Sequence, residues 1–157
     1  MLSPESLARI DKEIAKYPAE QKQSAVMAAL RIAQDELGWL ATETMDFVAV
    51  YLGMAPVAVY EVASFYNMYD LAPVGKYKIT VCTNLSCTLM GADTIAAHLK
   101  NKLGIEFGET TGDGRFTLKE GECMGACGDG PLFLINNKRM CGFLTSEKVD
   151  QVLAELE

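Results

Sequence analysis

Four of the five cysteines fall into two pairs: Cys82 and Cys87, spaced C-x4-C, and Cys123 and Cys127, spaced C-x3-C, with residues 88 to 122 between the pairs. No other feature constrains the fold as much, because two distant loops must meet if the pairs act together. Each pair adjoins an apolar run: KYKITVC ends on Cys82, and PLFLI follows the second pair. Both pairs can therefore lie at one edge of a single sheet and present four sulfurs to one guest. The second pair sits in GECMGACGDG, whose Gly121, Gly125, Gly128 and Gly130 allow tight turns and close approach of backbone N–H groups.

Four thiolates point to zinc or to iron–sulfur chemistry. Structural zinc sites usually use shorter knuckles of the C-x2-C kind. A [2Fe–2S] cluster has two irons that each need two thiolates, and two wider pairs, one per iron, suit it better. The pattern is not the plant-type ferredoxin run, in which three cysteines share one loop. Cys87 is expected near a helix N-terminus, where the dipole favours thiolate. Two other readings of the same cysteines are a structural-zinc binding module and a thiol–disulfide oxidoreductase, although the latter lacks the expected C-x-x-C.

The chain has 157 residues, half of them hydrophobic, which suffices for one ordinary domain or two small ones. Its 14 basic and 21 acidic residues are interspersed, and no basic stripe is available to neutralise a row of phosphates, which argues against nucleic acid. The opening MLSPESLARIDKE is charged and amphipathic, unlike a secretory signal, and no run approaches the roughly 20 apolar residues of a membrane span. A soluble cytosolic protein is expected, in which cysteines serve as ligands, redox groups or buried apolar residues more often than as disulfides.

The hydrophobic period changes along the chain. Up to about Tyr69 apolar residues recur at three and four. Ser3 is expected to cap a helix with Pro4 at its first position, and Pro18 to open a second in which Val26, Leu30, Ala33 and Leu37 share a face ended by Gly38. Thr42 is expected to cap a third helix running to Gly53, and Pro56 to open a fourth with Val59, Val62 or Ala63, and Tyr66 on one side. Trp39, Phe47, Phe65 and Met68 read as core of this helical bundle. The segment DLAPVGK breaks the pattern. Beyond it come a strand ending at Cys82, a helix over 90 to 103 with Ile95, Leu99 and Leu103 on one face, strands at FTLKEG and PLFLI, a further strand around Cys141, and a final helix capped by Thr145. The predicted fold class is α+β: an N-terminal helical bundle over residues 1–72, then a thioredoxin-like α/β domain over 73–157.

Cys141 stands apart in RMCGFL and reads as a buried free thiol; His98, the sole histidine, reads as part of a solvated helical face. No catalytic nucleophile and base are visible. No G-x-G-x-x-G or Walker loop is present to hold nicotinamide, flavin or ATP.

The four cysteines, together with GWL at 38–40, YLGM at 51–54, ASFYNMY before the first strand, DGRFTLKEGECMGACGDGP around the second pair and FLTSEKV near the end, give a pattern spanning nearly the whole chain. It resembles the thioredoxin-like [2Fe–2S] subunit in the peripheral arm of respiratory complex I, the NADH:quinone oxidoreductase. The resemblance implies that Cys82, Cys87, Cys123 and Cys127 hold one [2Fe–2S] cluster. It also implies docking on a flavoprotein subunit that carries FMN, the NADH site and a [4Fe–4S] cluster, beside other peripheral-arm subunits and without direct membrane insertion. The isolated chain would then be an electron carrier with no substrate site, exchanging single electrons with the flavin of an NADH dehydrogenase. It would lie on the cytoplasmic side of a bacterial inner membrane, or on the matrix side in a mitochondrion. Similar subunits occur in soluble NAD-reducing hydrogenases and NAD-dependent formate dehydrogenases, and an N-terminus without a cysteine-rich extension points toward complex I. The acidic helical half, with 5 basic and 10 acidic residues through Gly75, is expected to meet a basic or an apolar surface.

Overall fold

In the computed structural model, which describes residues 2–156, the chain divides into two units, Met1–Pro73 and Val74–Glu157. The first is helical: α1 (Pro4–Ile14), a 3-10 segment over Ala19–Ala25, α2 (Val26–Leu37), α3 (Thr42–Leu52) and α4 (Pro56–Phe65). Ser3 caps α1 by accepting from the Ser6 N–H at 3.2 Å, with Pro4 in the first turn, and Ser3 also donates to Glu36 on α2 through its N–H at 2.9 Å. A cap of this kind satisfies N–H groups that the helix itself leaves unpaired.

Ile10, Leu30, Ile32, Leu40, Val48, Leu52 and Val59 form the centre of the bundle and are almost fully buried. Gln34 fastens the segment after α4 to this core. Its Nε2 donates to the Met68 carbonyl at 3.0 Å, and its Oε1 accepts from the Asp70 N–H at 2.7 Å. Tyr69 is buried and donates to the Met27 carbonyl at 2.8 Å.

Several expectations need correction here. Ala41, not Thr42, precedes the third helix, and no side chain caps it. Pro18 leads into the 3-10 segment, and α2 begins only at Val26. Phe65 is 80 % exposed, Leu37 and Tyr66 are exposed as well, and Trp39 is half-buried, whereas Phe47 and Met68 do pack on the core. Helix α4 ends at Phe65, and its core side is carried by the buried Val59 and Ala63 with Val62 packed partly against them.

The second unit runs β1 (Tyr77–Cys82), α5 (Leu85–Leu89), α6 (Ala92–Leu103), β2 (Phe116–Gly121), β3 (Phe133–Ile135), β4 (Arg139–Cys141) and α7 (Ser146–Glu155). One mixed sheet has the order β2-β1-β3-β4. The β1–β2 pair is parallel and the other two are antiparallel. Asn136 and Asn137 both take positive φ between β3 and β4, a conformation that suits asparagine and the twist of a tight hairpin. Ile79, Val81, Leu99, Leu118, Phe133 and Val149 make the core, and Thr145 caps α7 by accepting from the Lys148 N–H. The predicted thioredoxin-like α/β unit is thus present, with one addition: α5 is a separate short helix ahead of α6. His98 is also corrected. Its Nε2 lies 2.9 Å from Asp150 Oδ1 on α7, so it joins two helices and does not merely face solvent.

Candidate cluster-binding site

Strand β1 ends at Cys82, whose register partner on β2 is Gly121. The two strands run parallel, so the segments carrying both cysteine pairs leave the sheet at one edge. The Cys82 N–H donates to the Leu132 carbonyl at 3.1 Å, and the Thr83 N–H to the Gly121 carbonyl at 3.0 Å, which extends the pairing past the strand ends. Cys87 is the third residue of α5, behind Asn84 at the N-cap position. The Thr88 hydroxyl donates to the Thr83 carbonyl at 3.1 Å and folds this helix back over the strand end.

The pairs differ in depth. Cys82 and Cys87 are buried and share a small apolar cluster with Ala92 and Leu132, on which Met124 and Ala126 of the second loop pack. The cysteine loops therefore touch. Cys123 and Cys127 are exposed, with sulfurs 3.7 Å apart, too far for a disulfide bond; all five cysteines are free. The Gly125 N–H donates to Cys123 Sγ at 3.3 Å, from a backbone with φ of +77° that glycine adopts without strain. Such a donor stabilises a thiolate.

Burial pushes the Cys87 thiol up to about 11. The neighbouring Cys82 acts in the same direction, the Leu132 backbone pulls the other way, and Cys127 adds a smaller upward push. Cys82 and Cys127 thus both act on the Cys87 thiol, one from each pair. Loading such a site with metal releases protons, because the ligands bind as thiolates.

The donor set fits a cluster: four cysteines in two pairs at one sheet edge, with N–H donors beside them. Gly130 also fits. A Cβ there would lie 2.8 Å from Met90 Sδ and 3.3 Å from Cys87 Sγ, so a side chain at this position would crowd Cys87. Among the described residues, no three His, Cys, Asp or Glu side chains close on a single-ion position. Cys141 lies on β4 within the core of the second unit, where burial raises its thiol, and it does not join the four.

Sequence reasoning missed the polar contacts between the loops. The Thr83 hydroxyl donates to Glu120 Oε1 at 2.9 Å, and Asn84 Nδ2 donates to Glu122 Oε2 at 2.8 Å. The only signal available was that all four residues adjoin a cysteine or its strand.

Fold and site together define a thioredoxin-like α/β domain with two cysteine pairs brought to one end of its sheet. The family described as "Thioredoxin-like [2Fe-2S] ferredoxin" matches residues 10–157, and the chain belongs to that family. It is 44 % identical over 134 residues to NADH dehydrogenase [ubiquinone] flavoprotein 2, mitochondrial, of Dictyostelium discoideum; the match covers 85 % of this chain and 54 % of that protein, so the chain spans about half of it. It is 38 % identical over 147 residues to NADH-quinone oxidoreductase subunit 2 of Thermus thermophilus, covering 94 % of this chain and 81 % of the other. With an NADH-quinone oxidoreductase subunit of Rickettsia felis it shares 44 % identity over 143 residues, covering 90 % of this chain and 85 % of the other. Among solved structures it is similar to an NAD+-reducing [NiFe]-hydrogenase chain, with a TM-score of 0.71 and 23 % identity over 83 % of this chain and 22 % of that one, a likeness of fold alone.

Proposed function

We propose that the chain is the electron-transfer subunit of an NADH:quinone oxidoreductase, with one [2Fe–2S] cluster on Cys82, Cys87, Cys123 and Cys127. The observation that carries this reading is the placement of both cysteine pairs at one edge of one sheet, with one pair buried and one exposed. The names of relatives at 38 % and 44 % identity supply the host complex. When bound, such a cluster accepts and returns one electron at a time.

The chain's own residues shape that site. Leu132, Ala92 and Met124 keep water from Cys82 and Cys87, and the Gly125 N–H steadies negative charge on Cys123. The exposed pair lies on the side open to a partner. That partner is the flavoprotein subunit with FMN, the NADH site and a [4Fe–4S] cluster, within the peripheral arm on the cytoplasmic or matrix side. Among the described residues no helix is long and apolar enough to cross a membrane, which suits attachment through the complex.

The test is an iron and acid-labile sulfide assay with low-temperature EPR before and after dithionite, on protein purified without oxygen. Two irons, two sulfides and a rhombic signal that appears only on reduction support the cluster. Serine at any one of the four positions should abolish or distort that signal. Co-purification with the flavoprotein subunit tests the host. A colourless chain with one zinc would overturn the reading.

A further inference from the structure

The two cysteine loops are joined by side chains that ligate nothing. Thr83 and Asn84 directly follow Cys82, while Glu120 and Glu122 flank Gly121 and lead into Cys123. The bonds Thr83 Oγ1 to Glu120 Oε1 (2.9 Å) and Asn84 Nδ2 to Glu122 Oε2 (2.8 Å) cross from one loop to the other, with the Thr83 N–H to Gly121 carbonyl bond between them. The parallel ladder ends at Cys82 and Gly121. Beyond that point the Thr83 hydroxyl also reaches the Gly121 carbonyl at 3.4 Å and the Leu132 backbone hydrogen-bonds the Cys87 thiol, and the Asn84–Glu122 bond is the pairing nearest Cys123 along the chain.

On the ligand assignment proposed above, we infer that Asn84 and Glu122, supported by Thr83 and Glu120, form a clip that fixes the separation of the two cysteine pairs and holds a carboxylate beside the cluster. They are positioning residues, since neither reaches the cluster except through the loop it steadies. The physical case is twofold. A cluster of fixed size tolerates little variation in the spacing of its ligand pairs, and the outer pair is exposed on a glycine-rich loop, so bonds that tie this loop to the first help to set that spacing. A carboxylate held next to Cys123 in the chain also disfavours the added negative charge of the reduced state, because net charge near a cluster sets its potential.

Three variants of the full chain separate the hydrogen bond from the charge. Glu122→Gln keeps an acceptor for Asn84 and removes the charge. Asn84→Asp opposes two carboxylates, removing the bond and adding a charge. The double variant Asn84→Asp/Glu122→Gln reverses the polarity of the bond and restores the original charge. Two quantities are read: the rate at which each reconstituted chain loses iron to a chelator, and the midpoint potential from an EPR-monitored redox titration.

The clip predicts several-fold faster iron loss from Asn84→Asp alone, with the parent rate in Glu122→Gln and in the double variant. It predicts a higher potential for Glu122→Gln by a few-fold in the reduced-to-oxidised ratio, where about 59 mV is tenfold for one electron. The double variant should return to the parent potential. Parent-like iron retention in Asn84→Asp, or a double variant no better than Asn84→Asp, overturns the clip even if the single variant folds poorly. An unchanged potential in Glu122→Gln overturns the role of the charge. A parent chain that takes up no [2Fe–2S] cluster would instead overturn the ligand assignment, and the clip with it.

Discussion

Cys82 stands directly opposite Gly121 in the parallel β1–β2 ladder. This places the end of the first cysteine strand beside a position with no room for a side chain. A Cβ on residue 121 would lie 2.5 Å from both Thr80 Cγ2 and Met124 Cε. Met124 can swing aside, but Thr80 is β-branched on a buried strand and has few rotamers to choose from. Gly121→Ala is therefore expected to cost about 1–3 kcal/mol, the usual range for overpacking. A urea titration measures this, and an unchanged midpoint would show that both neighbours yield.

Gly130 has a different relation to the site. The atoms that a Cβ would meet are Met90 Sδ and Cys87 Sγ, at 2.8 and 3.3 Å. Gly130→Ala should thus shorten cluster lifetime several-fold while moving the thermal midpoint little, since methionine is flexible and the crowding falls on Cys87, a ligand under the proposed assignment. Iron retention and a calorimetric melt on the same sample check both halves of the statement.

Tyr69 sets an alkaline limit on the helical unit. Burial raises its phenol to about 12, and its hydroxyl donates to the Met27 carbonyl at 2.8 Å. The folded value lies above the ordinary one, so the fold favours the protonated form. That stabilisation is complete below pH 10 and is lost as the pH rises from about 10 to 12, to the extent of about 3 kcal/mol at most. Tyr69→Phe should cost about 1 kcal/mol at neutral pH through the lost hydrogen bond and should flatten the alkaline limb. Denaturant midpoints at pH 7, 10 and 11 test this.

What could be read from the sequence was local. Ser3 and Pro4 mark the start of α1 because a cap and a first-turn proline act within four residues. The alternation in KYKITVC marks β1 because one face of it is buried. Phe65 misled the reading, since its helical spacing is real but α4 ends on it and leaves the ring in solvent. The short helix α5 escaped notice because LSCTL is too brief to show a period. His98 was read as solvated because Asp150 is 52 positions away, and the same distance problem hid the Asn84–Glu122 contact. The meeting of the two cysteine loops was legible because each pair adjoins a strand that its residue pattern marks, and those strands end side by side.

Asp150 illustrates one of those distant contacts. Hydrogen bonds from His98 and then Lys102 hold its carboxyl below the usual aspartate value. Because the folded value is depressed, the stabilisation is present above the unfolded value of about 3.9 and is lost as the pH falls below it. The Asp150 side chain is 41 % exposed, so the effect is small and salt-sensitive. Asp150→Asn should lower stability slightly at pH 6 and not at pH 2.5. Equal losses at both values would mean that packing of α7, not charge, accounts for the contact.

Thiol reactivity should sort the five cysteines. Alkylation proceeds through the thiolate and needs access. In the metal-free folded chain Cys123 and Cys127 are exposed, whereas Cys82, Cys87 and Cys141 are buried, and burial raises the thiols of Cys87 and Cys141 further. Brief treatment with a maleimide at pH 7, read by peptide mass spectrometry, should modify Cys123 and Cys127 first and leave the other three until the chain is unfolded. With the cluster in place the first two should be protected as well, while Cys141 should react at the same slow rate with or without iron. Protection of Cys141 on loading would show that it belongs to the site after all; early labelling of Cys82 or Cys87 would show that the inner pair is not shielded by Leu132 and Met124.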